Sequence, residues 1–183
     1  LTAGLRITTT PQRGRTVFTD ASSTTHMAVV VWQENSKWLR NRFVDPEASV
    51  QQLEAKAVAE AFSMWPDESL NVVTDSMFVY KLVQSMATPG WAGSELAILF
   101  ETALQQRQAP AAIIHVRSHT STPGYFQEGN QKADQAAKGI WTLAEARDLH
   151  VQLHLGAKAL AKQCRIPLTQ AREIVATCPY CQN

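Results

Sequence analysis

The sequence predicts an α/β domain, a five-stranded mixed sheet flanked by helices, followed by a small all-α domain. Three observations predict this architecture. Apolar, β-prone runs alternate with stretches of helical periodicity over residues 15–140. Carboxylates directly end or follow two of the apolar runs, at Asp20 and Asp75. In residues 142–183 the apolar residues recur at helical spacing, which indicates a separate helical module.

Composition sets the limits of the interpretation. With 183 residues and 45% hydrophobic content, the chain can bury one ordinary core and a small second one. No run approaches the roughly 18 apolar residues of a membrane span, and the N-terminus lacks a signal-peptide pattern, so we expect an intracellular protein or part of a larger one. The net charge of +1 gives no bulk attraction to polyanions. A nucleic-acid partner would therefore need a local patch or a neighbouring domain.

The sheet is predicted to begin with three consecutive strands. Residues 1–14 lack periodicity and are interpreted as a connector. The run VFTDA at 17–21 predicts a strand that ends on the lone carboxylate of Asp20. Residues 27–32 (MAVVVW) and 38–44 (WLRNRFV) flank a polar turn and predict an antiparallel hairpin.

A helix and a further strand follow. Ser49 and Gln52 have the spacing of a capping box, and the helix that they start carries Glu54 in its first turns. A carboxylate there is electrostatically tolerated by the positive end of the helix. The run LNVVT at 70–74 predicts a short strand, and Asp75 follows it directly.

The rest of the first domain continues the alternation. Ser76 is predicted to cap one helix and Ser94 to open another. The run AIIHV at 112–116 predicts the fifth strand, in which His115 is interpreted as a core histidine. After a long loop, Asn130 is predicted to cap a helix that presents Asp134 in its first turns.

Four acids thus lie at strand ends or helix starts, where one edge of a sheet could collect them: Asp20, Glu54, Asp75 and Asp134. Clustered carboxylates repel one another unless a cation lies among them. Hard oxygen ligands suit Mg²⁺ or Mn²⁺. Two such ions about 3.5–4 Å apart activate a water and stabilise the leaving oxygen of a phosphodiester. The pattern therefore predicts metal-dependent phosphodiester hydrolysis.

A second set of ligands lies in the helical module. His150 and His154 are four residues apart on one predicted helix face, and Cys178 and Cys181 are separated by two residues. Two imidazoles and two thiolates are the ligands of a closed tetrahedral zinc site. So short a segment needs a structural metal to be stable. Cys164 falls within the apolar pattern and is interpreted as a core residue.

The Cys-Pro-Tyr-Cys run at 178–181 also has a redox interpretation, because glutaredoxins carry the same four residues. A dithiol motif of that kind follows a strand early in a βαβ unit, and no strand is predicted here. The redox interpretation also leaves the paired histidines unexplained. Zinc binding is therefore the favoured interpretation.

The motifs of the first domain resemble the ribonuclease H domain of retroviral reverse transcriptases, nearest to the avian sarcoma and leukosis group. The resemblance covers roughly residues 15–140 and rests on the runs VFTDASS, ASVQQLEA, VTDS, HVRSH and NQKAD. It implies a ribonuclease H-like fold and endonucleolytic cutting of the RNA strand of RNA/DNA hybrids, leaving a 3′-hydroxyl and a 5′-phosphate. It also implies two Mg²⁺ or Mn²⁺ ions held by the four acids, and a loop histidine, His119, that helps proton movement or product release.

Proofreading exonucleases share this five-strand layout and are the structural alternative. Those enzymes usually place a second acid two residues after the first. Here that position is Ser22. The exonuclease interpretation is therefore disfavoured.

The segment from about Thr142 to the end resembles the N-terminal zinc-binding domain of retroviral integrases. The resemblance implies one structural zinc ion bound by His150, His154, Cys178 and Cys181. It implies a junction near residues 141–142, and the connector 1–14 would come from the polymerase region. The implied partners are the upstream polymerase domain, a downstream integrase core, viral DNA ends and possible further copies of the chain. The implied location is the virion and the host cytoplasm.

Two functions from different classes follow. The first is a ribonuclease H with an appended zinc-binding module, expected to bind hybrids weakly because only Lys81 and Arg107 are cationic between Ser76 and Ile113. The second is a catalytically inert assembly module that oligomerises through zinc. The presence of all four acids favours the first. Integration itself needs a separate catalytic core and is not expected of this chain.

Overall fold

The computed structural model describes residues 7–86, 95–117, 124–139, 143–179 and 181. Contacts between Cα atoms divide the chain into two compact units, Leu1–Lys138 and Gly139–Asn183. The first unit holds all the described strands and the second contains only helices among its described residues.

A mixed six-stranded sheet forms the centre of the first unit, with the strand order β1-β6-β5-β2-β3-β4. Strands β2, β3 and β4 are antiparallel neighbours, whereas β2, β5, β6 and β1 are parallel. The strands are β1 Ile7–Thr8, β2 Arg15–Ser22, β3 Met27–Glu34, β4 Lys37–Val44, β5 Leu70–Thr74 and β6 Ala111–His115. The predicted hairpin and the five predicted strands are confirmed.

Strand β1 adds a sixth strand to the predicted sheet, within the stretch interpreted as a connector. Ile7 pairs with Ala111 at the edge of the sheet. Downstream, the buried Asn71 side chain holds the chain by two hydrogen bonds: Gln12 N–H donates to Asn71 Oδ1 (2.6 Å), and Asn71 Nδ2 donates to the Gln12 carbonyl (2.7 Å). Two residues are too few to show a period-2 pattern, and the contacts that order this segment are tertiary.

The helices of the first unit are α1 Val50–Ser63, α2 Met77–Met86, α3 Glu95–Gln105 and α4 Tyr125–Ala137. The predicted capping box is present. Gln52 N–H donates to Ser49 Oγ (3.2 Å) and Ser49 N–H donates to Gln52 Oε1 (2.8 Å). Ser76 caps α2, because its hydroxyl oxygen accepts from Val79 N–H (3.2 Å).

The prediction that Asn130 caps the last helix of this unit is wrong. Helix α4 begins five residues earlier, and Asn130 is buried in its middle. Tertiary packing extends the helix backwards: Phe126 joins the core, and Gly129 lies so close to Phe18 that an added Cβ would be 2.1 Å from the ring. Packing overrides the local preference of Asn for a cap.

Side chains of the sheet alternate between two cores, as the pleat requires. Val17, Val30 and Val72 pack beneath α1, α2 and α3. Phe18 and Val73 face the opposite way, beneath α4. By this alternation Asp20 lies on the same sheet face as Phe18, beside α4.

The second unit contains α5 Leu143–Leu153, α6 Ala157–Cys164 and α7 Leu168–Thr177. Its small core is formed by Ala146, Leu160, Cys164, Ala171 and Ile174, which confirms the interpretation of Cys164. No strand occurs in the part of this unit that the structure describes, as the zinc interpretation expected. Among the described residues of the whole chain, no helix has the length and apolar character needed to cross a membrane.

Candidate functional site

Three of the four predicted acids meet at one edge of the sheet. Asp20 lies near the end of β2, Asp75 follows the parallel strand β5, and Glu54 lies in α1. One carboxylate oxygen from each lies within 4.8 Å of the others. The carboxyl ends of parallel strands meet at the same edge, and α1 packs across β2 and β5, which brings Glu54 to that edge.

The carboxylates are in an environment that disfavours their charge. Asp20 is only 6% exposed, and burial, together with the nearby charges of Asp75, Asp134 and Glu54, raises its pKa to about 8. A hydrogen bond from Ala21 N–H to Asp20 Oδ1 (2.8 Å) opposes that rise. The pKa of Glu54 is raised as well, first by burial and also by the charge of Asp75. Such a cluster favours either a proton or a cation among the oxygens.

Asp134 lies beside this cluster without joining it. Its charge contributes to the raised pKa of Asp20, but the group of three whose oxygens lie within 4.8 Å of one another excludes it. Asp134 Oδ2 instead accepts from the Lys138 ammonium, one helical turn later, at 3.1 Å. The spacing of the acids gave no indication of this ion pair.

Ser76 contributes more to the site than the predicted helix cap. Its hydroxyl also forms a hydrogen bond with the Glu54 carboxylate, which lowers the pKa of Glu54 against the effect of burial. A second hydroxyl, that of Thr19, donates to the Val73 carbonyl (2.9 Å) and ties β2 to β5 beneath the acids. No signal in the sequence identified either contact, because each joins residues that are far apart along the chain.

Two histidines of the first unit were singled out in the sequence, His115 in the fifth strand and His119 in the loop that follows it. His119, the predicted loop histidine, lies outside the described residues. His115 is half-buried at the end of β6 and its ring packs against Tyr80, with centroids 5.6 Å apart.

The second candidate site brings together all four predicted zinc ligands. One ligand atom each from His150, His154, Cys178 and Cys181 lies within 4.8 Å of the others. Nε2 of His150 is 3.2 Å, and Nδ1 of His154 is 3.6 Å, from the Cys181 sulfur. Two nitrogens and two sulfurs at this separation fit the tetrahedral coordination of zinc.

The surrounding backbone orients these ligands. His150 is 1% exposed, and its Nδ1 lies 2.8 Å from the Leu155 carbonyl, so Nδ1–H donates there and Nε2 is left for a metal. His154 lies one residue beyond the end of α5, in the left-handed region at φ 52°, and not on the helix face that the spacing predicted. Its N–H still bonds the His150 carbonyl (2.6 Å), which keeps the two rings adjacent.

Two family models match the chain, one over each candidate site's part of the sequence. Residues 12–141 match the family model of RNase H, and residues 146–183 match that of the integrase zinc binding domain. The Gag-Pol polyprotein of Rous sarcoma virus subgroup B (strain Schmidt-Ruppin) is 52% identical over 180 residues, which are 98% of this chain and 11% of that protein. The Gag-Pol polyprotein of avian leukosis virus subgroup A (isolate RSA) is 51% identical over the same shares.

More distant retroviral proteins align over most of the chain as well. The Gag-Pro-Pol polyprotein of Mason-Pfizer monkey virus is 34% identical over 175 residues, 90% of this chain and 10% of that protein. The chain thus spans about a tenth of the length of these curated relatives. The resemblance to the avian sarcoma and leukosis group is confirmed. The chain belongs to the RNase H family and carries an integrase zinc binding domain after its RNase H domain.

Proposed function

We propose that the chain hydrolyses the RNA strand of RNA/DNA hybrids endonucleolytically, at a centre of two divalent metal ions held by Asp20, Glu54, Asp75 and Asp134. The approach of three partly buried carboxylates to within 4.8 Å carries this proposal. Without a cation, this arrangement is electrostatically unfavourable, as the raised pKa values of Asp20 and Glu54 indicate. Their oxygen-only donor set fits Mg²⁺ or Mn²⁺.

The residues of the chain have separate parts in this reaction. When bound, the two ions supply an activated water and stabilise the leaving oxygen of the phosphodiester. Asp20, the most buried of the three close acids, must release its proton to act as a ligand, and the hydrogen bond from Ser76 orients the Glu54 carboxylate. Asp134 would act from the α4 side. We assign proton movement or product release to His119 on the resemblance to the family alone.

Hybrid affinity of the isolated chain is expected to be low. There are two cationic residues between Ser76 and Ile113. The guanidinium of Arg107 donates to the carbonyls of Phe62 and Glu68, so it is engaged in hydrogen bonds within the fold. Lys81 is exposed on α2. We therefore expect slow cleavage, faster with Mn²⁺ than with Mg²⁺, and a higher rate once the upstream polymerase domain is joined to the chain.

The test compares four labelled substrates of one sequence: RNA/DNA hybrid, duplex RNA, duplex DNA and single-stranded RNA. Cleavage of the RNA strand of the hybrid alone, with 3′-hydroxyl and 5′-phosphate products, is expected. Cleavage of duplex DNA at the same rate would contradict the proposed substrate. Equal rates for the isolated chain and for its fusion to the polymerase domain would contradict the account of weak affinity.

For the second unit we propose one structural zinc ion and a role in assembly or in contact with viral DNA ends. The donor set of two histidines and two cysteines supports the zinc ion. Val151 and Leu153 on α5 are 44% and 58% exposed, which supports a contact with another protein surface, such as a downstream integrase core or another copy. In a retroviral Pol product these contacts would form in the virion and in the host cytoplasm.

The alternative function, an inert module that oligomerises through zinc, is tested by light scattering with and without a zinc-selective chelator. Loss of an oligomer on zinc removal would support assembly. The alternative additionally requires that no hybrid is cleaved in Mn²⁺ or Mg²⁺. Cleavage together with a monomeric mass in both conditions would exclude it.

A further inference from the structure

Lys138 is a cation at the edge of the acid cluster that neither the sequence motifs nor the proposed reaction uses. Its Nζ lies 3.1 Å from Asp134 Oδ2. Asp134 is also the one acid of the four that lies outside the group of close carboxylates. Two observations thus describe Asp134: its carboxylate pairs with an ammonium, and it lies apart from the close group.

The backbone holds Lys138 at this place. It is the C-cap residue that follows α4, and its N–H donates to the Asp134 carbonyl (3.1 Å). The preceding carbonyl, that of Ala137, accepts from the Thr25 hydroxyl (2.6 Å), which fixes the end of the helix to the β2–β3 turn. A cation at the C-terminus of a helix is also favoured by the helix dipole.

An ammonium and a divalent ion compete for the same carboxylate. Bonding of Asp134 to Lys138 offsets part of its charge, and a cation entering beside Asp134 would meet the positive charge of Lys138. The side chains of Lys138 and Asp134 are 49% and 30% exposed, so water weakens the pair. An exposed pair of this kind changes an equilibrium by at most about fivefold.

We propose that Lys138 is a positioning residue. Its ammonium pairs with the Asp134 carboxylate while no metal is bound, and it thereby lowers the affinity of the chain for the divalent ion that Asp134 would ligate. This inference rests on the proposed metal centre. Lys138 would then set the concentration of divalent ion that is needed to fill the site. A residue that served only to end the helix would have no such effect.

The test is calorimetric titration of Mn²⁺ into the full zinc-loaded chain without nucleic acid. We expect Lys138→Gln to tighten the weaker Mn²⁺ binding event about two- to fivefold, and Lys138→Arg to leave it as in the wild type, since it keeps the cation. Lys132→Gln is the matched control, because it removes the same charge from α4 two residues before Asp134, where side chains do not face each other.

The outcomes separate this inference from the proposed function. Equal Mn²⁺ affinities for Lys138→Gln and Lys132→Gln would overturn it, as would unchanged metal binding with a raised KM for the hybrid, which would make Lys138 a phosphate contact. The half-saturating Mg²⁺ concentration for cleavage should fall by the same factor as the Mn²⁺ dissociation constant. If the wild type and Asp75→Asn bind Mn²⁺ identically, the metal centre itself fails, and the role of Lys138 with it.

Discussion

At the scale of single residues, Asp20 has the environment least suited to its charge. Its pKa in the folded chain is about 8, against an ordinary value of 3.8. Between these values the folded chain holds a proton that the unfolded chain has released. Without added divalent ions, stability should therefore fall as pH rises from about 4 to 8, by at most about 1.4 kcal/mol per pH unit.

Asp20→Asn should remove the contribution of Asp20 to this dependence and leave that of Glu54, whose pKa is also raised. An amide carries no charge at any pH, so the variant should be more stable than the wild type at pH 8 in the absence of Mg²⁺ and Mn²⁺, and it should not cleave hybrids. Urea unfolding between pH 5 and 8, followed by tryptophan fluorescence, measures the effect. The exposed Asp67→Asn is the control. The same pH slope in the wild type and in Asp20→Asn would contradict the raised pKa.

Arg107 shows a different use of charge, because it closes the C-terminal end of α1. Its Nη1 donates to the carbonyls of Phe62 (2.8 Å) and Met64 (3.3 Å), and its Nη2 to that of Glu68 (2.5 Å). Arg107→Met leaves these acceptors without their donor and should lower the free energy of unfolding by about 2 kcal/mol. The exposed Arg13→Met should change it by less than about 0.5 kcal/mol. Equal urea midpoints for the two variants would refute this role.

Sequence patterns could locate Asp20, Glu54 and Asp75 because each stands at the end of an apolar run or near the start of a helix, positions with a local signature. Asp134 was expected in the first turns of its helix, but it lies in the last turn of α4, because the helix begins at Tyr125. The partners of those acids have no such signature. A lysine four residues after an aspartate is common on helices, so the spacing of Asp134 and Lys138 did not indicate an ion pair at the site. The hydrogen bond between Ser76, the cap of α2, and Glu54 in α1 depends on how the two helices pack.

At the scale of elements, the position of α4 decides where Asp134 lies, and Gly129 decides how closely α4 approaches the sheet. Gly129→Ala would place a methyl group against the buried Phe18 ring, at 2.1 Å before relaxation. The helix must shift, so we expect a loss of about 1–3 kcal/mol of stability and weaker hybrid cleavage. Chemical unfolding and the cleavage rate measure the two effects.

Gly156→Ala is the matched control for this prediction. Gly156 precedes α6 with φ −65°, and a Cβ there would meet nothing within 4 Å. The substitution should leave stability and cleavage within the error of the wild type. If Gly129→Ala and Gly156→Ala had the same stability and the same cleavage rate, the inference that α4 closely approaches β2 would be wrong.

The elements that sequence reasoning found best have strong local signals. The capping box of α1 and the alternating strands β2 and β3 depend on neighbouring residues and were found as predicted. The start of α4 was misplaced because Asn130 is a good cap in isolation, whereas the packing of Phe126 and Gly129 against the sheet extends the helix. Strand β1 was missed because only its pairing with β6 defines it.

At the scale of the whole molecule, each of the two units has its own core and its own candidate metal site. Removing zinc, by a zinc-selective chelator or by His150→Ala, should therefore unfold α5–α7 and leave hybrid cleavage largely intact. Helical circular dichroism and the cleavage rate report the two units separately. The exposed His26→Ala is the control for loss of a histidine. Loss of cleavage in parallel with zinc would contradict independent units.

The measurement that tests the central claim most directly is hydrolysis of a labelled RNA/DNA hybrid by the wild type and by Asp75→Asn, in Mg²⁺ and in Mn²⁺. Asp75 contributes one of the three close carboxylates, and an amide cannot replace its charge. We predict that the wild type cleaves, faster in Mn²⁺, and that Asp75→Asn loses the activity while unfolding at a similar urea concentration. Undiminished cleavage by a folded Asp75→Asn chain would contradict the assignment of the acid cluster as the catalytic metal centre.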